Sequence, residues 1–177
     1  MEHFHCATCG KSHDLSELEP SFDRPDAYFD IPEAERAART VNTAGLCAIR
    51  GEGTTPLRCF VRVVLPVPVR GESRRFCWGT WVEVAEADFM TIGDNWENPD
   101  QASFPPFAGA LANAMPLMPE GATPTLGLSG QVHLTGPRDY PEFMLDVNSP
   151  HPFAVEQRDG IFGERLLEYL SPVLHDS

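Results

Sequence analysis

Basic residues are scarce in this 177-residue chain: 13 Lys and Arg face 26 Asp and Glu, for a formal charge of −13. Nucleic-acid affinity comes largely from Lys and Arg displacing counterions from phosphates, so this balance opposes a nucleic-acid partner. It favours solubility or attraction to a basic protein partner. Long apolar runs are missing as well, and none reaches the ~20 residues that cross a bilayer. Glu2, His3 and a Cys pair stand where a signal region would be basic and then greasy. A cytoplasmic chain with no membrane contact is the expectation. A disulfide framework does not fit either: the five cysteines are odd in number, and Cys47, Cys59 and Cys77 have apolar, strand-like neighbours. There is no G-x-S-x-G, Walker loop, dinucleotide fingerprint or H-E-x-x-H, so nucleophile chemistry has no support. With no internal repeat or low-complexity linker, residues 1–177 read as one domain of ordinary size.

Proline, by contrast, is plentiful at 17 residues, which predicts short elements and ordered turns. Residues 1–25 read as a metal knuckle and a Pro-punctuated lead-in packed on the body, with an extended loop running on to Tyr28 and Phe29. Pro32 to Arg39, with acids early and Arg late, predicts a short exposed helix. From Leu46 the pattern has period two: strands over Leu46–Arg50, Leu57–Val69 and Arg75–Ala85 form an antiparallel meander, with Phe76, Trp78, Thr80, Val82 and Val84 on one face. Pro66 and Pro68 each remove a ladder donor, so that end of the second strand should lie at an edge or leave the sheet. Glu86 to Met90 opens a short helix, 95–106 is a loop, and Phe107 to Asn113 reads as a loose helical turn. Two further strands are expected over Leu126–Thr135 and Glu142–Val147. The tail from Phe153 to Leu174 reads as two helical pieces broken at Gly160, with Leu166, Leu167 and Leu170 on one face and Pro172 as the stop. The fold class is therefore α+β, an antiparallel sheet with a few short helices and an N-terminal knuckle.

That knuckle is the densest chemistry in the chain. His3, His5, Cys6, Cys9, Gly10 and His13 read H-x-H-C-x-x-C-G-x-x-H. Zinc takes thiolate and imidazole ligands in a tetrahedron, two Cys separated by two residues can bite one ion, and Gly10 frees the backbone to turn beneath the sulfurs. Cys6, Cys9 and His13 are three ligands. A second C-x-x-C is absent, so the fourth falls to Cys47 at the first strand, with His5 as the alternative. Iron accepts the same donors. Unligated surface residues and a redox thiol pair are the competing readings, but a thioredoxin-type pair sits between a strand and a helix, a context lacking here. A structural site is favoured over a catalytic one, which would keep a water-bearing position.

Later in the chain, His151-Pro152-Phe153-Ala154-Val155-Glu156-Gln157 places an acid, a base and an amide at a helix start. His151, Glu156 and Gln157 are catalytic candidates on that ground; capping and packing is the simpler account. Trp78, Trp81 and Trp96, with Phe76 and Phe89, either line a cleft or fill the core, and aromatics on strands are more often core. His133 reads as a sheet-face residue, and Asn113 and Arg138 as polar anchors.

Taken in order, these segments resemble the bacterial family catalogued as domain of unknown function 2199. The likeness runs nearly end to end. It rests on Phe4-x-Cys6-x-x-Cys9-Gly10-x-x-His13, Cys47-x-Ile49, Trp78-Gly79-x-Trp81-Val82, Phe107-x-Gly109-x-Leu111-x-Asn113 and His151 to Gln157 followed by Gly160-Ile161. Gly45 stands where the family has Asp, and Phe153 where it has Leu. The resemblance implies one full-length domain in which the knuckle, Cys47 and the His-Pro segment belong to one design; the family carries no assigned activity.

Three functions follow. The leading one is a cytoplasmic, non-enzymatic module with a structural zinc that binds a protein partner, the acidic surface favouring a basic one. The second is a small-molecule hydrolase or transferase using His151 and Glu156 as acid and base. The third is a thiol redox protein acting through Cys6 and Cys9.

Overall fold

The computed structural model describes residues 3–5, 12–14, 19–73, 75–116, 118, 121, 123–137 and 139–175. Near the N-terminus β1 (His3–His5) and β2 (Ser12–Asp14) pair antiparallel, with Phe4 opposite His13. There follow α1 (Asp26–Phe29), α2 (Glu33–Arg39), β3 (Thr40–Asn42), β4 (Leu46–Ile49), β5 (Arg58–Pro68), β6 (Arg75–Val84), α3 (Glu86–Asp94) and a 3-10 turn at Gln101–Ser103. β7 (Phe107–Leu111), β8 (Ser129–His133), β9 (Glu142–Leu145), α4 (Pro152–Asp159) and α5 (Gly163–His175) complete the order. This is an α+β fold. No helix among the described residues is long and apolar enough to cross a membrane.

The expected meander of β4, β5 and β6 is present, with Cys47 opposite Phe60 and Val63 opposite Thr80. It does not stop as an open sheet. β6 pairs β7, β7 pairs β8 and β8 pairs β9, and β9 returns to β5 in parallel at Val64 and Glu142, closing a five-stranded barrel that carries β3 and β4 as an extension. Closure removes most of the exposed edges that an open sheet would offer to other chains.

Alternation sorts the side chains into two cores. Cys59, Val61, Val63, Leu65 and Val67 of β5 face inward with Phe76, Trp78, Val82 and Val84 of β6, and Ile92, Phe153, Leu166, Tyr169 and Leu170 from the helices join them. On the outer face Cys47, Ile49, Phe60, Trp81 and Ala112 form a second cluster beneath Phe22, Ala27, Tyr28 and Ile31. The chain that approaches from the N-terminus thus covers apolar surface that the barrel cannot bury inside itself.

Pro66 and Pro68 sit where their missing donors cost least. The amides of Arg62 and Val64 point away from β6, toward Gly45 O and Pro141 O at 2.8 Å each. By the period of two, Pro66 and Pro68 face that same side, past the end of β4 and past the last residue that β5 pairs with β9. The edge expected from the sequence is therefore real, and the inward-facing Leu65 and Val67 keep their ladder to β6.

Four expectations need correction. Phe107 to Leu111 is strand β7, not a helical turn: Phe107 and Leu111 point inward, and Gly109 fits only because it has no side chain, since a Cβ there would lie 2.4 Å from Val82 Cγ1. Pairing with β6 and β8 overrides the helix preference of its alanines. Asp26–Phe29 is a helical turn within the lead-in expected to be extended. Pro172 lies inside α5 and does not end it. Leu167, expected beside Leu166 and Leu170, is 42% exposed. The exposed helix α2 and the break at Gly160, where φ is 80°, are as expected.

β6 is left open at its first half because β7 reaches only Val82 to Val84, and the lead-in takes the vacant place. Ser21 bridges Gly79 in parallel; Gly79 N donates to Pro20 O at 2.9 Å and Phe22 N to Gly79 O at 2.8 Å. A Cβ on Gly79 would fall 2.6 Å from Ser21 Cβ, which explains a glycine between two buried tryptophans. Gly79→Ala should therefore push the lead-in off the strand, with a loss of about 1–3 kcal/mol in chemical denaturation and faster trypsin cleavage after Arg24. Unchanged stability and cleavage would show that this pairing does not hold the segment.

Candidate functional site

Cys6 and Cys9 lie outside the described residues, as does Arg138; His5 and His13 are placed on β1 and β2 by their backbone alone. Among the described residues no three His, Cys, Asp or Glu side chains gather as a metal group. Cys47 is fully buried in the outer cluster. Burial pushes its thiol up from the ordinary 9.0 to about 11, with Arg24 opposing the shift. Cys77, also expected in apolar surroundings, points outward and is half-buried beside Glu19, and its thiol is likewise pushed up to about 11, chiefly by burial. Cys59 faces the interior.

The lead-in is fixed by one amide. Asn113 is fully buried; its Oδ1 accepts from Thr80 Oγ1 and Trp81 N at 3.0 Å each, and its Nδ2 donates to Arg24 O at 2.9 Å and Asp26 Oδ1 at 2.8 Å. The second oxygen of Asp26 accepts from Ala114 N at 2.8 Å. A polar anchor at Asn113 was legible as a residue type, but its four partners come from two distant segments. Asp26 had no sequence signal.

The His-Pro segment closes the barrel. His151 caps α4: Nδ1 accepts from Phe153 N at 3.1 Å, so the ring carries its proton on Nε2, which donates to Thr123 O at 2.7 Å. Gln157 is buried, and its Nε2 donates to Phe143 O at 2.8 Å while its Oε1 accepts from Leu145 N at 2.7 Å. One residue that donates to a strand's i−1 carbonyl and accepts from its i+1 amide reproduces a parallel ladder. Gln157 therefore continues along β9 the pairing that β5 abandons after Val64. Four residues later Ile161 N donates to Pro68 O at 2.9 Å and Ile161 O accepts from Arg70 N at 2.8 Å, so the same segment also grips β5.

Glu156 holds α5 to α4. Its carboxylate accepts from Arg165 Nε at 2.8 Å and from Tyr169 OH. Tyr169 stacks on Phe76 with ring centroids 5.9 Å apart, meets Trp78 edge-on, and lies under the Arg165 guanidinium at 4.4 Å. Burial, and then Glu156, raise the Tyr169 phenol well above its ordinary value. His151, Glu156 and Gln157 are thus each engaged in capping or packing contacts. Trp78 and Trp81 are core; the half-buried Trp96 lies over the start of β4, where a Cβ on Gly45 would fall 2.4 Å from Trp96 Cζ2. The Gly45 departure noted in the sequence has this packing counterpart. His133 faces Glu142 across the β8–β9 ladder as a sheet residue.

An open cleft of about 700 Å³ lies along β8, β9 and α4, lined by Ser129, Gln131, Met144, Val147, Ala154 and Arg158 among others. Met144 and Val147 are 38% and 64% exposed, and Asp146 stands between the strand end and Val147.

The fold and these sites define an α+β barrel protein whose motif residues serve its closure and its N-terminal strap. The chain belongs to the DUF2199 family, uncharacterized proteins conserved in bacteria, whose model matches residues 5–161. No curated protein and no solved structure matches it.

Two outcomes follow. Gln157→Leu strips two buried backbone groups of their partner, and a loss of about 2–4 kcal/mol is expected, with amide exchange at Leu145 rising ahead of global unfolding. Retained protection at Leu145 would mean that another group replaces the amide. For the thiols, an unfolded Cys ionises near 9.0 while Cys77 keeps its proton to about 11. Its contribution to stability is full below pH 9 and is lost as pH rises through 11. The pH dependence of unfolding should show this decline, and Cys77→Ala should flatten part of it.

Proposed function

We propose that this chain is a non-enzymatic binding module, one domain over 1–177, that holds a structural zinc in its N-terminal knuckle and docks a basic protein partner. The observation that carries the docking is the cleft of about 700 Å³, where exposed Met144 and Val147 adjoin acidic Asp146 on a chain of charge −13. Exposed apolar side chains with polar neighbours are the anatomy of an interface, and the charge selects the sign of the partner. The capping and packing contacts of His151, Glu156 and Gln157 favour binding over acid–base chemistry.

The zinc is assigned to Cys6, Cys9 and His13, with Cys47 as the fourth ligand and His5 the alternative. Two features support it. Residues 6–11, which carry Cys6-x-x-Cys9-Gly10, join two strands that pair antiparallel, a short connection of the kind that bites one ion. Cys47 lies on the outer face that the lead-in covers, and a metal beside it would lower the thiol pKa that burial raises.

Elemental analysis of protein purified without a chelating resin should find about one zinc per chain. Cys6→Ser and Cys9→Ser should lose it while the far-ultraviolet spectrum of the barrel persists, because the described core does not draw on these residues. Metal retained in Cys47→Ser would transfer the fourth position to His5; no metal with two reactive N-terminal thiols would favour the redox pair. For the partner, a photocrosslinking residue at position 144 should capture a basic protein at low salt and lose it at high salt. Capture that ignores salt, or of acidic proteins alone, would overturn the docking reading.

A further inference from the structure

Away from the cleft, a slot of about 220 Å³ opens between Ala44, Gly45, Trp96, Pro137, Asp139 and Tyr140. Its two aromatic walls meet at 65° with ring centroids 6.4 Å apart. Asp139, an exposed residue, lines the same slot. Trp96 is not a loose surface ring: buried Gln101 donates through Nε2 to Trp96 O at 2.9 Å, and the indole packs against Gly45, the one residue type whose lack of a Cβ leaves room for it. Tyr140 is held by its carbonyl, which accepts from Thr135 Oγ1 at 3.2 Å, and its ring carries the Arg62 guanidinium at 5.1 Å. Arg62 is not among the residues that line the slot.

The geometry points to a binding site for an alkylammonium cation. Two aromatic rings set at a steep angle, with an aspartate lining the same slot, offer a cation π density and a negative charge, and offer methyl or methylene groups apolar surface. A neutral apolar ligand would leave Asp139 unused, and an anion would face both the carboxylate and the ring quadrupoles. Arg62 shows that the Tyr140 ring already accepts a cation on its surface. The volume lies below the roughly 300–1,000 Å³ of ordinary ligand pockets, so the slot fits a head group and not a larger molecule. That head group belongs either to a free quaternary amine or to a methylated lysine on a peptide. The site stands apart from the docking cleft and does not depend on the zinc or partner reading.

The three tryptophans make the test self-controlled. Tetramethylammonium chloride is titrated into the full chain while the three indole N–H resonances are followed by NMR, with sodium chloride at equal ionic strength as the reference. The Trp96 resonance should shift to saturation while buried Trp78 and Trp81 stay fixed. Tyr140→Ala should weaken binding about tenfold and Tyr140→Phe should leave it intact, as a ring effect requires. Asp139→Asn should weaken it about threefold. A trimethyllysine peptide that saturates Trp96 at lower concentration than the free cation assigns the site to peptides; equal affinity assigns it to free amines. A Trp96 shift that is linear, reproduced by sodium chloride, or unchanged in Tyr140→Ala overturns the proposal.

Discussion

The barrel depends on a side chain that acts as backbone. β5 can pair β9 only as far as Val64, because its continuation carries Pro66 and Pro68, whose nitrogens have no hydrogen to give on that side. Left alone, Phe143 O and Leu145 N would be buried without partners, each at a cost of about 1–3 kcal/mol. Gln157 supplies both with one planar amide, and Ile161 then meets β5 using only what the prolines leave, the carbonyl of Pro68 and the amide of Arg70. The seam is therefore closed by an element of α4 and the turn after it, not by a strand.

From that closure the other features follow. A helix start must be fixed for Gln157 to reach β9, and His151 fixes it by accepting from Phe153 N while anchoring to Thr123 O. A left-handed residue must turn the chain from α4 back to β5, and Gly160 does so at φ 80°, with Pro68 O only 3.0 Å from where a Cβ would sit. Glu156, on the same helix, ties α5 to the barrel through Arg165 and Tyr169. On the opposite side of the sheet Asn113 performs a comparable task for the lead-in, binding Thr80, Trp81, Arg24 and Asp26 at one point.

What could be read in advance was whatever repeats with a period. The meander, the inward set from Phe76 to Val84, the helix after Pro32 and the break at Gly160 all show in residue spacing, because burial on one face writes an alternation into the chain. β7 did not, since Phe-Ala-Gly-Ala-Leu has small residues at its centre and its strand character comes from β6 and β8 beside it. The closure did not either: a Gln that pairs with a strand edge looks in sequence like any helical Gln, and only the position of β9 reveals its use. His151, Glu156 and Gln157 drew attention as polar groups of catalytic type at a helix start, and each type is equally suited to capping and bridging.

This reassignment bears on where function should be sought. Residues that close a barrel or pin a strap are constrained by the fold, and a pattern built from Gly79, Asn113, His151, Gln157 and Gly160 marks the architecture whatever the protein binds. The surfaces free of those duties are the ones available for recognition. Among the described residues two such surfaces are the outer side of β8 and β9, where Met144 and Val147 stay exposed, and the start of β4, where Gly45 leaves room for Trp96 beside Tyr140. At the second of these, Gly45 and Trp96 are coupled by contact: any larger residue at 45 displaces the ring, so the slot exists only while both are present. A substitution at Gly45 should then alter ligand recognition at the slot while leaving the Gln157 seam intact, which separates the chemistry of this surface from the stability of the barrel beneath it.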